Sequence, residues 1–160
     1  MKEIVEAQKK WRRAKVLASA SCIRQGKRDV AEKLNVCNMF KGTESMEEMI
    51  SLMFSAQGAE FLTTYGFPDI ETFRMFKKYH PERFGVYIDC GKINLLGVQR
   101  AFLVGNTQAE IKCDETALYR IILMHGASAE IEASGYSVVK IEKDGVSEVK
   151  GSFSGMAKRL

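Results

Sequence analysis

Candidate groups for acid–base or nucleophilic chemistry are few in this sequence, because only two histidines occur among its 160 residues. His125 directly precedes Gly126 at an expected corner between β-strands, and Asp89 and Cys90 lie at the corresponding corner of an earlier repeat. If the fold brought them together, the cysteine and the histidine could act as nucleophile and base. Nothing around Cys90 would lower the pKa of its thiol, so we expect ordinary corner residues.

Metal and cofactor motifs are also lacking. Two histidines and four scattered cysteines do not give the paired ligand spacing of zinc sites, and neither glycine-rich phosphate-binding pattern occurs. The adjacent or alternating carboxylates Glu47/Glu48 and Glu130/Glu132 are typical of a solvated surface. We therefore predict no catalytic, metal-binding or cofactor-binding residue. Reduced thiols are expected at Cys22, Cys37, Cys90 and Cys113.

Binding is indicated more strongly, by a basic N-terminal segment. Residues 1–41 contain eleven Lys or Arg and four Asp or Glu, although the whole chain has a net charge of only +4. Such charge asymmetry favours an electrostatic partner or self-association between opposite ends. The candidate binding residues are Lys9, Lys10, Trp11, Arg12, Arg13, Lys15, Arg24, Lys27 and Arg28.

Several partners fit a basic segment that contains one tryptophan. Its lysines and arginines could neutralise phosphates while Trp11 stacks on a base. They could instead lie on an anionic membrane surface or bind an acidic protein. A solvated helix face, with Trp11 packed on the protein body, is the alternative. No known DNA- or RNA-binding motif is recognisable, so sequence-specific readout of nucleic acid is not expected.

The N-terminal half has the pattern of helices. Residues 2–25 lack Gly and Pro and are rich in good helix formers, with Gly26 as the stop. The apolar residues expected on the buried stripe of this helix are Ile4, Val5, Trp11, Ala14, Val16, Leu17, Ala18 and Ile23. Further helices are predicted over 29–34, from the capping box Ser45–Glu48 to about 58, over 59–65 and over 70–79. Residues 35–42 are predicted as a loop anchored by Val36, Met39 and Phe40.

After residue 85 the apolar period changes from about 3.6 to about 2. Four segments then repeat a short apolar run, a glycine turn and an alternating stretch, and two of them share Ala-Glu-Ile at 109–111 and 129–131. The turn glycines Gly91, Gly105 and Gly126 are followed by a fourth at Gly145, with steps of unequal length between them. Such short units bury their apolar side by stacking on the next unit, as in a β-solenoid. An antiparallel β-sandwich is the alternative, because glycine turns and alternating strands suit it as well.

These patterns predict an α+β chain. Its parts are a helical region over 1–85, which begins with the basic helix, a solenoid-like β-repeat domain over 86–151, and a tail over 152–160. The helical half could cap one end of the solenoid, since an open end is an unpaired sheet edge.

Residues 121–139, from Ile121 through His125 to Val139, resemble a C-terminal segment of uncharacterised small proteins from gut-bacterial genomes, prophages and mobile elements. The repeats are also similar to those of bactofilin-type β-helices, which polymerise. Bactofilins have short disordered tails, however, whereas the predicted helical region of this chain makes up about half of its length. That departure weakens the polymer analogy, and neither resemblance implies a catalytic residue.

The sequence favours a non-enzymatic binding or assembly protein, in which a β-repeat platform and a basic helix engage a protein partner or a second copy. One alternative is a phage or mobile-element accessory protein that inhibits a host defence or nucleic-acid machine. Another is non-specific nucleic-acid binding through the basic helix. We expect no cofactor, and no membrane span because the apolar runs are short. We expect a cytoplasmic location because the N-terminus lacks a secretory signal.

Overall fold

A computed structural model describes residues 2–36 and 43–160 of the chain. The chain divides into two compact units, Met1–Pro68 and Asp69–Leu160. The change from helices to strands lies near residue 85, as predicted, but the division between the units comes earlier, because a helix and two 3-10 turns belong to the solenoid unit. Within the described residues, every helix is too short or too polar to cross a bilayer.

The first unit is helical. Its helices are α1 (Lys2–Arg24), α2 (Arg28–Val36), α3 (Met46–Met53) and α4 (Ala56–Tyr65). The prediction of α1 is confirmed, and Gly26 takes the left-handed conformation at its end with φ of 76°. The second helix is longer than predicted, so residues 35 and 36 are helical and not part of a loop. The predicted anchors Met39 and Phe40, and Cys37, lie outside the described residues.

Two side-chain caps explain why α3 and α4 are separate helices. Ser45 and Glu48 form the predicted capping box, with Glu48 N donating to Ser45 Oγ over 3.2 Å. The prediction that this helix runs to about residue 58 is wrong. Ser55 caps a new helix by accepting from Gly58 N over 3.1 Å, which ends the first at Met53.

The second unit begins with α5 (Ile70–Phe76), capped by Asp69 as predicted, with Thr72 N donating to Asp69 Oδ1 over 2.8 Å. Beyond Phe76 the predicted helix over 70–79 continues only as a 3-10 turn (Lys77–Tyr79), which ends at His80 with a positive φ of 54°. A second 3-10 turn (Pro81–Phe84) leads into the first strand.

Residues 86–159 form a parallel β-solenoid, which confirms the predicted fold over the antiparallel sandwich. The strands are β1 (Val86–Ile88), β2 (Gly91–Leu96), β3 (Arg100–Val104), β4 (Thr107–Cys113), β5 (Leu118–Met124), β6 (Ser128–Ala133), β7 (Val138–Lys143), β8 (Glu148–Phe153) and β9 (Lys158–Arg159). The five-stranded sheet has the order β1-β3-β5-β7-β9 and the four-stranded sheet the order β2-β4-β6-β8. Since β8 and β9 extend into 152–160, the predicted tail is part of the last coil.

The strand register differs from the predicted glycine alignment. Val86 pairs with Phe102 and Phe102 with Ile122, so the first coil is shorter than the second. At the corner after the five-stranded sheet, the residue equivalent to Gly105 is therefore Asp89 in the coil before and His125 in the coil after. All three adopt a positive φ, so the left-handed conformation at this corner does not always need glycine.

Apolar ladders run through the solenoid interior. Leu95, Ile111 and Ile131 align on successive coils of the four-stranded sheet and are buried. The five-stranded sheet is buried on its outer side too, where the Phe102 ring lies 5.4 Å from the ring of Phe73 on α5. Each coil thus hides its apolar residues against its neighbours.

The last coil ends these ladders. Gly151 aligns with Ile131, and the Phe153 ring occupies the space that a Cβ at Gly151 would need. Lys143 aligns with the buried Leu123, and Arg159 with the buried Val139. Charged residues at core-aligned positions disfavour pairing of a further apolar strand with this edge.

Replacement of Gly105 tests how tightly the corner is built. Gly105→Ala should lower the free energy of unfolding by about 2–4 kcal/mol, because φ is +64° and a Cβ would overlap Asp89 Oδ1. Gly91→Ala is the control, since Gly91 has a φ of +67° with nothing within 4 Å of a Cβ. It should lose only about 1–2 kcal/mol of backbone strain. If urea unfolding shows the same loss of unfolding free energy for both variants, the close approach of Gly105 to Asp89 is contradicted.

Candidate functional site

Asp89 is the centre of a polar cluster at the solenoid corner. Its Oδ2 accepts from Arg74 Nε over 2.8 Å, and its Oδ1 accepts from Asn106 N over 2.9 Å. Lys77 Nζ donates to the Asp89 carbonyl over 3.0 Å. The hydrogen bond from Arg74 is the main cause of a lowered pKa of Asp89. The carboxylate therefore joins α5 to two coils of the solenoid.

Cys90, His125 and Asp89, the residues considered above as a conceivable catalytic group, are not arranged as a nucleophile and its base. Asp89 and His125 share a corner column but lie two coils apart, roughly 10 Å along the stack. The His125 ring lies 5.8 Å from the Phe73 ring, and its backbone N–H donates to Asp144. Cys90 Sγ donates to the Ile88 carbonyl over 3.6 Å, and burial raises the pKa of its thiol. That these are ordinary corner residues stays a prediction.

The other described cysteines, Cys22 and Cys113, are buried. Cys22, Cys90 and Cys113 are free thiols, and burial raises the pKa of Cys113 to about 11. Cys22 Sγ lies 3.4 Å from the Tyr65 hydroxyl, a contact that is the main cause of a Tyr65 pKa raised to about 12. Over residues 2–36 and 43–160, His, Cys, Asp and Glu side chains nowhere form a group of three that could hold a metal ion.

Helix α1 buries one side and exposes the other. Trp11 is only 5% exposed, and Ile4, Ala7, Ala18 and Cys22 are buried on the same side. Lys15 Nζ lies 4.8 Å from the Trp11 ring centroid. Because the indole is buried, Trp11 packs on the protein body and is not presented for stacking on a base.

The opposite side of α1 is both apolar and basic. Successive helical residues are rotated by about 100°, which places Val5, Lys9 and Val16 roughly opposite Trp11. Four aliphatic side chains here are well exposed: Val5 47%, Val16 65%, Leu17 62% and Ile23 52%. We call Val5, Lys9, Arg12, Arg13, Val16, Leu17, Ile23 and Arg24 the outward face of α1; all eight are exposed.

The structure thus divides the predicted basic residues. Lys9, Arg12, Arg13 and Arg24 lie on the outward face, whereas Lys10 and Lys15 are half-buried. Lys27 and Arg28 are exposed beyond the end of α1. No acidic residue occurs between positions 7 and 28, so the outward face is flanked by positive charge alone along most of its length.

The four exposed aliphatic residues of this face correct the sequence analysis. Val5, Val16, Leu17 and Ile23 were expected to broaden the buried stripe, and the structure exposes all four. Their angular positions become informative only once Trp11 is known to be buried. At about 100° per residue, Val5 and Val16 lie more than a quarter-turn from the tryptophan.

A groove of about 1360 Å³ lies within the first unit. Its lining includes the apolar side chains of Trp11, Val30, Leu34, Leu52, Phe61 and Tyr65. Among the residues that the structure describes, the charged lining residues are Glu44, Glu47, Glu48, Glu60, Lys15 and Lys33. Because acids outnumber bases by four to two, we call it the acidic groove.

Comparison with protein-family models, with curated proteins and with solved structures found no match to this chain. The resemblances to bactofilin-type β-helices and to proteins of mobile elements therefore stay predictions. The candidate site rests on the geometry of the molecule alone.

The ion pair at Asp89 predicts a pH dependence of stability. Its folded pKa is lowered, so its contribution is present above the unfolded pKa of about 3.9 and is lost as pH falls through the folded value. Asp89→Asn should therefore cost about 1 kcal/mol at pH 7 and progressively less in acid, while Asn tolerates the positive φ. Urea unfolding between pH 2.5 and 7 measures this.

Glu71→Gln is the matched control, because Glu71 also pairs with Arg74, over 3.1 Å, but is well exposed. It should change stability little at any pH. A constant difference between wild type and Asp89→Asn across the pH range would show that the Asp89 charge is not what stabilises the corner.

The raised thiol pKa of Cys113 predicts slow alkylation. At pH 8 the native residue should react with iodoacetamide on the order of 100-fold more slowly than in urea, because the thiolate is the nucleophile and it is scarce and buried. Peptide mass spectrometry after timed quenching gives the rate for each cysteine. Equal rates for Cys113 in the native and unfolded chain would contradict the buried position.

Proposed function

We propose that this chain is a non-enzymatic binding protein, whose contact surface is the outward face of α1 and whose partner is a protein with an acidic surface. The observation that carries the proposal is the alternation of exposed aliphatic and cationic side chains on that face, with no acid between positions 7 and 28. Charged groups around an apolar centre are typical of surfaces that bind proteins.

The exposed aliphatic side chains supply the affinity in this proposal. Covering apolar surface gains about 25 cal/mol per Å². Val16, Leu17 and Ile23 each leave more than half of their surface in water. A partner that covers them gains this energy, and its acidic groups gain the attraction of Arg12 and Arg13.

A protein fits this face better than nucleic acid does. Phosphates would satisfy the lysines and arginines but would leave Val16 and Leu17 without an apolar partner. The one aromatic side chain of α1 that could stack on a base, Trp11, is buried.

A membrane fits less well for a related reason. Helices that lie on membranes commonly insert aromatic or large apolar residues at the level of the lipid headgroups. Such helices separate an apolar face from a basic one, whereas the outward face of α1 intersperses its aliphatic side chains with cations, and Trp11 points the other way. An acidic amphipathic helix offers apolar side chains to the aliphatic residues of the outward face and carboxylates to its cations.

The contacts of Asp89 and Cys90 at the solenoid corner are the reason why a non-enzymatic function is proposed. Asp89 is engaged by Arg74 and Asn106, and the Cys90 thiol has a raised pKa. These groups support the solenoid corner. Lys143 and Arg159 are charged residues at core-aligned positions, so they disfavour stacking of another molecule on the last coil. We therefore assign the solenoid the role of a rigid body and not of an assembly surface.

The proposal predicts which ligand class binds. The full chain should bind an acidic amphipathic helical peptide, with leucines and glutamates on one face, more tightly than poly-glutamate, duplex DNA or phosphatidylserine vesicles at 0.15 M salt. Val16→Ser/Leu17→Ser should weaken binding about tenfold, since it removes roughly 1–2 kcal/mol of apolar burial. Fluorescence anisotropy and calorimetry measure both.

Arg12→Glu/Arg13→Glu should abolish peptide binding, whereas the control Lys150→Glu/Lys158→Glu, with the same change of charge on the exposed solenoid surface, should not. Equal affinity for DNA or vesicles, or an affinity for the peptide that Val16→Ser/Leu17→Ser leaves unchanged, would refute the proposal. So would the absence of binding to all four probes.

A further inference from the structure

We infer that the acidic partner of the outward face is the acidic groove of a second copy of this chain, so that copies associate head to tail. This inference rests on the proposed function and identifies the partner. Its basis is that the two surfaces have complementary composition: cations around exposed aliphatic side chains on α1, and carboxylates around an apolar floor in the groove.

Two of the groove carboxylates are well placed to meet a second copy. Glu47 and Glu60 are exposed at the groove. Glu48 is engaged in its capping box, with Ser45 N donating to it over 2.7 Å, and Glu44 accepts from Gln8 over 3.1 Å. The recognition of Arg12 and Arg13 is therefore assigned to Glu47 and Glu60.

The two bases of the groove do not remove this complementarity. Lys15 is half-buried with its Nζ over the Trp11 ring, and Lys33 lies on α2. Acids still outnumber bases in the groove lining, whereas α1 has no acid after Glu6. Charge attraction between the two surfaces therefore adds to the burial of their apolar side chains, and the association should weaken as salt screens the charges.

The size of the groove fits a polypeptide segment. Small-molecule pockets commonly hold about 300–1,000 Å³, whereas this groove holds about 1360 Å³. Its floor offers Leu34, Leu52 and Phe61 to the aliphatic residues of an incoming helix face.

The same geometry sets the type of association. Trp11 lines the groove, and the outward face lies on the other side of α1. Each copy can therefore donate its helix face to one neighbour and its groove to another. Such a heterologous contact does not close in a dimer and leads to rings or open chains. Pairing of two outward faces with each other is disfavoured, because both are positively charged.

Charge reversal on each surface tests the inference. The full chain should show species larger than a dimer by light scattering coupled to size exclusion in 0.05 M salt, and these should dissociate in 0.5 M salt. Arg12→Glu/Arg13→Glu should be monomeric, as should Glu47→Lys/Glu60→Lys, with the dissociation constant raised more than tenfold in each. Circular dichroism checks the fold of each variant, and Glu47→Gln/Glu60→Gln replaces the lysine variant if that does not fold.

Mixing the two variants is the decisive step. Glu47→Lys/Glu60→Lys keeps a native helix face and Arg12→Glu/Arg13→Glu keeps a native groove, so the equimolar mixture should associate although neither variant does so alone. A wild-type chain that is monomeric at about 0.3 mM, or a mixture that stays monomeric, overturns the inference. Association unaffected by either variant also overturns it.

The peptide-binding measurement separates this failure from failure of the proposed function. A monomeric wild-type chain that still binds the acidic amphipathic peptide through the outward face would refute self-association and leave the binding function standing. A chain that neither associates nor binds the peptide would refute both.

Discussion

Stacking of one coil on the next is the constraint on which the solenoid depends. A single coil, such as the one from Phe102 to its partner Ile122, is too short to enclose its own apolar side chains. Leu103, Ile121 and Ile131 are therefore buried by residues of neighbouring coils as well as their own. The parallel hydrogen bonds hold the coils at one spacing. Corner geometry follows from this spacing, because successive coils must turn at the same place; Asp89, Gly105 and His125 do so with a positive φ.

Much of the fold could be predicted from the sequence, because its signals are local. The capping box at Ser45, the cap at Asp69 and the change of period near residue 85 each determine a structure within a few residues. The glycine alignment failed where the signal was not local. Asp89 and His125 adopt a positive φ at this corner as Gly105 does, so glycines alone do not give the register.

The candidate site was only half predictable. Lysine and arginine are almost always exposed, so the cations of α1 could be identified from their residue type. Val16, Leu17 and Ile23 could not, because an exposed aliphatic residue looks like a core residue until the helix has a known orientation. Burial of Trp11 fixes that orientation and turns a basic segment into a face with both charge and apolar area.

The register of the later coils bears on how such a chain can change in length. From β3 and β4 onward, every coil advances by the same number of positions in both sheets, as the pairs Ile121↔Ile141 and Ile111↔Ile131 illustrate. Because side chains alternate between interior and exterior, insertion of a single residue within a strand would turn the side chains that follow it in that strand to the wrong side. Duplication of one complete turn from the middle coils would preserve every column and both terminal coils. The solenoid can therefore grow or shrink in whole turns, while its two ends keep their own sequences.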